Sequence, residues 1–293
     1  MAEIEIGGKT AVYGIIGSPI EHTMSPAIHN HISKAMGIDS VYVPFRADGN
    51  LVNIVKGLHS LGVCGINVTV PYKTGIIKEL AGIDPAARAI GAVNTLKYTD
   101  EGYHGYNTDI MGLERELVSC GISLKGRDIV ILGAGGAARA AAFMCIGKGP
   151  ASVTIVNRTE DKAAAIRNSL IEYAKESGTD IPDGGIRTAS ADDIIRGDAG
   201  GYIVFQCTNV GLSPDDDACV INDDEFFSKV ETGIDLIYKP PVTMFMKRVE
   251  SAGGREFNGL KMLIYQAVCA YEIWNEVSVP ERVVSDIERM LRS

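Results

Sequence analysis

Apolar residues fall in short runs punctuated by glycine and proline, and the runs alternate between strand-like and helix-like spacing. Residues 10–16 form a β-rich run closed by Gly17. Ser25-Pro26 then opens a segment of helical period to Met36, with Ser25 as the expected N-cap and Pro26 at the first helical position. Residues 41–45 predict a strand, 51–61 a helix and 65–70 a strand, and Pro71 is expected to start another helix. Residues 92–98 and 103–106, joined by Thr99-Asp100-Glu101-Gly102, predict a hairpin. Strand–helix alternation of this kind builds a mainly parallel sheet covered by helices.

A helix is expected over 108–120, and at Asp128 a second alternation begins. Strands are predicted at 128–132, 152–156, 202–207 and 233–236, with helices at 136–146 and 161–175. The stretch 178–185 is a polar loop, Asp215-Asp216-Asp217 a solvated turn, and the chain is helical in pattern after Gly259. No internal repeat or low-complexity tract is present. Two alternations predict two domains joined near Thr108.

The 293 residues suffice for two cores. With 28 basic and 37 acidic residues the formal charge is −9, which argues against a surface that coats nucleic acid. Met1-Ala2-Glu3-Ile4-Glu5 lacks the basic and apolar regions of a signal peptide. The longest apolar run, near 140–146, is far below the ~18 residues of a bilayer span. Cys64, Cys120, Cys145, Cys207, Cys219 and Cys269 stand singly, which is neither a disulfide framework nor a zinc knuckle. The expectation is a cytoplasmic protein without membrane or nucleic-acid partners.

Candidate chemistry begins at Gly133-Ala134-Gly135-Gly136-Ala137-Ala138, after a predicted strand and at a helix start. It fits the G-x-G-x-x-G/A form, in which small residues permit a tight turn and close approach of a pyrophosphate to helix amides. The plainer alternative is a tight βα turn; the flanking strand, helix and next strand favour nucleotide binding. The following strand ends in Asn157-Arg158-Thr159 rather than in the acid that binds a ribose 2′-hydroxyl. Arg158, with Lys162 about one turn later, suits a 2′-phosphate and points to NADPH over NADH, unless both are ordinary surface cations.

In Asn67-Val68-Thr69-Val70-Pro71-Tyr72-Lys73, Asn67 and Thr69 are two apart and share a strand face. Lys73 would lie in a first helical turn, where the dipole disfavours a cation. It is either a solvated lysine or a general acid. Asn107-Thr108-Asp109 reads either as helix capping or as a carboxylate reaching Lys73 from an interdomain cleft and orienting it. His22-Thr23-Met24-Ser25-Pro26 offers hydroxyls at the first strand–helix junction, near the usual ligand crevice. His22, His29 and His31 lack metal-ligand spacing and are expected to be structural or surface residues, so no metal site is predicted.

The blocks His22–Pro26, Asn67–Lys73, Gly91-Ala92-Val93-Asn94-Thr95, Asn107-Thr108-Asp109, Gly133–Ala138, Asn157-Arg158-Thr159 and Gly259–Gln266 occur in the order seen in the shikimate/quinate dehydrogenase family, which the chain resembles along essentially its whole length. The resemblance implies an α/β fold of two domains: a mainly parallel substrate domain (1–109 with 260–293) and a Rossmann NADP-binding domain (110–259), the C-terminal helices packing back on the first. It implies reversible NADPH-dependent reduction of 3-dehydroshikimate to shikimate in aromatic amino-acid and chorismate biosynthesis. Lys73 and Asp109 would form the catalytic pair. Thr23 and Ser25 would hold the substrate carboxylate and Tyr238 would close around it. Asn67, Thr69, Asn94 and Gln266 would bind ring hydroxyls or support the site. Thr208 and Gly259 would lie at the nicotinamide end, and the family includes monomers and homodimers.

Three positions depart from the family pattern. Thr23 replaces a usual serine, which bears on the choice between shikimate and quinate. Gln206-Cys207-Thr208 replaces Asn-Ala-Thr and Lys261 replaces a glycine, both of which bear on the cofactor end. The alternatives are a broader quinate/shikimate dehydrogenase that accepts NAD, and a paralogue that binds NADP without turnover.

Overall fold

The computed structural model describes residues 6–179 and 181–292. Segment 1–5, on which the signal-peptide reading rests, Asp180 in the polar loop and Ser293 lie outside the described residues. The chain divides into two compact units, Met1–Gly112 with Leu263–Ser293, and Leu113–Met262.

Unit 1 opens with β1 (Ala11–Gly17), α1 (Ser25–Met36), β2 (Ser40–Arg46), α2 (Leu51–Ser60) and β3 (Gly65–Val68). It continues through β4 (Gly82–Ile83), α3 (Pro85–Ile90), β5 (Thr95–Thr99) and β6 (Gly102–Tyr106). The sheet order is β2-β1-β3-β5-β6-β4, and only β5 runs against the rest. Successive β1 side chains feed opposite faces, as strand period requires. Ile16 joins Ile66, Val68, Leu96 and Tyr103 on one face, and Tyr13 and Ile15 join Tyr42 and Trp274 on the other.

Two expectations fail here. Ser25 does not cap α1: it is the first helical residue, and its amide instead donates to Thr23 Oγ1 at 3.3 Å. Pro71 does not start a helix either. The Lys73 carbonyl, which a helix would need for its own ladder, accepts from the Val93 amide at 2.9 Å. Residues 69–74 therefore form turns ahead of a short 3₁₀ segment, Gly75–Glu79, and Lys73 does not lie in a first helical turn.

After α4 (Thr108–Ser119), unit 2 contains β7 (Asp128–Leu132), α5 (Gly136–Ile146), β8 (Ser152–Val156), α6 (Glu160–Ser177), β9 (Ile186–Ala189) and α7 (Ala191–Arg196). It closes with β10 (Tyr202–Gln206), α8 (Asp224–Ser228), β11 (Val230–Asp235), α9 (Met244–Ser251) and β12 (Arg255–Asn258). All its strands are parallel, in the order β12-β11-β10-β7-β8-β9. This is the doubly wound Rossmann arrangement, in which the strand order reverses between β7 and β10. Strands β8 and β10 are buried along their whole length, which explains their continuous apolar character.

The chain returns to unit 1 through α10 (Leu260–Asn275) and ends in α11 (Glu281–Arg292). The Trp274 indole lies against Gly65 so closely that a Cβ there would overlap the ring, and its Nε1 donates to the Leu96 carbonyl at 2.8 Å. The C-terminal helices thus pack on the first sheet. Among the described residues no helix is long and apolar enough to cross a membrane.

Candidate active site

In unit 1 the edge formed by residues 67–73, 94–95 and 108–109 carries a continuous polar network. Lys73 Nζ donates to Asp109 Oδ2 at 2.7 Å, and Asn94 Nδ2 donates to Asp109 Oδ1 at 2.9 Å. Asn94 is itself fixed: its other Nδ2 hydrogen goes to Thr108 Oγ1 at 3.1 Å, and its Oδ1 accepts from the Thr108 amide at 2.7 Å. Thr95 Oγ1 bonds both Asn94 Oδ1 and Thr108 Oγ1. The Asp109 carboxylate is therefore clamped through both oxygens. The Lys73 side chain keeps 33% of its surface accessible, enough for its ammonium to meet a ligand.

Asn67 lies beneath this edge. Its Oδ1 accepts from the Tyr42 hydroxyl at 2.8 Å, and its Nδ2 donates to the Asn94 carbonyl and to Thr95 Oγ1. Both amide hydrogens are used within the protein, so only the second lone pair of Oδ1 is left for a ligand hydroxyl. Thr69 follows directly after β3, half-buried, with its methyl against Gly17. Thr23 Oγ1 donates to Ser25 Oγ at 3.2 Å at the start of α1. The Gln266 backbone leaves no room for a side chain at Gly112, and its Nε2 donates to the Leu263 carbonyl.

The histidines divide. His22 is exposed, His31 half-buried and His29 buried, stacked 4.1 Å from the Tyr42 ring. Among the described residues no cluster of His, Cys, Asp and Glu is placed to hold a metal ion. Burial pushes the His29 imidazole down to about 3, so the fold holds it neutral. The unfolded chain takes up this proton near pH 6.5, and stability contributed by His29 is lost as pH falls below that value. In urea denaturation, His29→Phe is expected to lose roughly 2–3 kcal/mol less stability than the parent between pH 7 and 4.5. Parallel pH profiles for the two proteins would refute this.

In unit 2 a cleft of about 1200 Å³ opens at the carboxyl ends of the strands, lined by Gly133–Gly135, Val156–Ala164, Thr188–Ala191 and Cys207–Val210 among others. It straddles β7 and β10, where a doubly wound sheet binds its ligands. Gly133 has φ +112°, a conformation that excludes ordinary side chains, and the site of its missing Cβ is 3.0 Å from Thr208 Cγ2. A Cβ built at Gly135 or Gly136 meets nothing within 4 Å, and Ala137 is exposed. The first turn of α5 therefore presents bare amides, which suit a pyrophosphate.

Asn157 Nδ2 donates to the Thr159 carbonyl, closing the turn that carries Arg158. Arg158 and Lys162 are exposed and have no ion-pair partner among the described residues. Thr159 occupies the N-cap of α6 without a side-chain capping bond. These groups fit a phosphorylated ribose. Tyr238 follows β11, half-buried, with its phenol pushed up by burial, and Gly259 packs on the Leu236 backbone with no space for a side chain.

Two features of unit 2 escape the sequence reading. Ser190 and Asp193 line the far side of the cleft through a reciprocal capping box on α7, for which the Ser-x-x-Asp spacing was an available signal. Asp235, fully buried, accepts from Thr243 Oγ1 at 2.6 Å and from the Ile237 amide at 3.0 Å. Burial pushes its carboxyl up to about 6 despite those bonds. No local pattern announces it.

Residues 15–96 match the family model described as shikimate dehydrogenase substrate binding domain, 116–205 that of shikimate/quinate 5-dehydrogenase, and 259–286 the shikimate 5′-dehydrogenase C-terminal domain. Shikimate dehydrogenase (NADP(+)) of Desulforamulus reducens is 36% identical over 98% of this chain and 97% of its own. A shikimate dehydrogenase solved in complex with NADP+ superposes with a TM-score of 0.88 at 35% identity, covering 99% of this chain and 98% of that one. The Thermus thermophilus enzyme, solved with NADP(H) and shikimate, gives 0.83 at 27% identity, covering 96% and 99%.

Proposed function

The chain belongs to the shikimate/quinate dehydrogenase family, and from that premise we propose how its own residues divide the reaction. The protein is an NADP-dependent oxidoreductase that interconverts 3-dehydroshikimate and shikimate. NADP(H) held by the Gly133–Ala137 turn and Arg158 would supply the hydride chemistry at the ketone carbon. Lys73 Nζ gives a proton to the ketone oxygen as the alcohol forms and accepts it in reverse. Asp109 keeps the ammonium aimed, and Asn94 keeps Asp109 aimed. The observation that carries this reading is the Lys73–Asp109 bond of 2.7 Å, anchored from behind by Asn94 and open to a ligand in front.

Thr23 and Ser25 supply hydroxyls for the substrate carboxylate. Asn67, Thr69 and Gln266 face ring hydroxyls. For the cofactor, Gly133, Ala134, Gly135, Gly136 and Ala137 hold the pyrophosphate, and Asn157, Arg158, Thr159 and Lys162 hold the phosphorylated ribose. Thr208 and Gly259 serve the nicotinamide end. The proposal extends to a cytoplasmic enzyme of chorismate and aromatic amino-acid biosynthesis.

Initial rates at 340 nm, crossing shikimate and quinate with NADP and NAD, test the assignment. Shikimate with NADP is expected to be the preferred pair. Comparable rates with quinate would show that Thr23 accommodates the more hydroxylated ring, and no turnover with any pair would overturn the catalytic reading.

A further inference from the structure

Gln206 ends β10 with its side chain wholly buried, and its single carboxamide touches four polar groups of the turn that follows. The side-chain oxygen accepts from the Thr208 amide at 2.6 Å and from the Thr208 hydroxyl at 2.7 Å. Nε2 lies within reach of the Thr208 carbonyl at 3.3 Å, the Val210 carbonyl at 3.2 Å and Asp235 Oδ1 at 3.4 Å. Thr208 Oγ1 in turn accepts from the Val210 amide at 3.1 Å. Behind Gln206, Asp235 is pinned by the Thr243 hydroxyl and the Ile237 amide.

A tight turn after a parallel strand needs only backbone bonds. Here a buried side chain, itself backed by a buried carboxylate on the adjacent strand, holds one three-residue segment. The segment lines the cleft beside Gly133, and Asn209 at its tip is exposed with no side-chain partner among the described residues. We infer that Gln206, backed by Asp235, is a positioning residue that sets the Thr208–Val210 turn against the nicotinamide half of the bound cofactor. This rests on the proposed placing of NADP in the cleft. It also gives a role to the glutamine that stands where the family usually has asparagine: the longer side chain reaches past Thr208 to Val210.

The test compares Gln206→Leu with the parent for binding of NADP and of 2′-phospho-ADP-ribose, which lacks the nicotinamide. Calorimetry is the readout, with a thermal melt to establish folding. Loss of the amide leaves buried groups of the turn unpaired and lets it move, so NADP binding is expected to weaken about tenfold. Binding of 2′-phospho-ADP-ribose should stay within about twofold of the parent, because the α5 and Arg158 ends are untouched. If Gln206→Leu does not fold, Gln206→Met takes its place, an uncharged side chain of similar length that loses every bond to the turn, and the same contrast is expected. Unchanged NADP binding, or equal weakening of both ligands, would overturn the positioning role. Arg158→Ala serves as the control: if it weakens neither ligand, the placing of NADP fails, and that failure is distinct from a failure at Gln206.

Discussion

Lys73→Met is expected to lower kcat by about 10²–10⁴-fold, the usual worth of a positioned general acid. Methionine keeps most of the length of the side chain but has no proton to give, so the ketone oxygen would have to draw on water. Affinity for NADP should be unchanged, because the glycine turn and Arg158 belong to the other compact unit. The loss should also exceed that of Asp109→Asn, which keeps a hydrogen-bonding group between Lys73 and Asn94 and mainly loosens the aim of the ammonium. Stopped-flow single turnovers under saturating substrate separate the two, since proton transfer accompanies the chemical step. Full turnover by Lys73→Met would sink the assignment of the proton donor, though not the fold.

Much of unit 2 was legible from sequence for a physical reason. The bounds of β7, α5 and β8 are those predicted, because strands buried on both faces read as unbroken apolar runs and glycines mark where they stop. The errors at Ser25 and Pro71 share one cause. Both rest on local rules for helix starts, and in both a nearby or distant group claims the polar atom the rule requires: the Thr23 hydroxyl in the first case, the Val93 amide in the second. Strand β12 and helix α7 went unread because short elements lie below the length at which periodicity can be recognised. The pairing of Lys73 with Asp109 spans 36 positions and a hairpin. Spacing alone left it open, and family resemblance suggested it.

Arg158→Ala is expected to weaken NADP binding by about 10–100-fold while changing NAD binding by no more than about threefold. The first turn of α6 carries Glu160 and Asp161, which satisfy the helix dipole but repel a phosphate dianion placed beside them. Discrimination in favour of the phosphorylated cofactor must therefore come from groups strong enough to outweigh two carboxylates. Arg158 offers a planar fork of donors for charge-assisted bonds, and Lys162 a single ammonium without fixed geometry. The greater share of the preference is thus assigned to Arg158, and Lys162→Ala should cost several-fold less. Because both side chains are exposed, the contribution should shrink as salt rises. Titrations of parent and variant with NADP and NAD at two ionic strengths test both points. If the ratio of the two affinities is the same in Arg158→Ala as in the parent, the 2′-phosphate is held elsewhere.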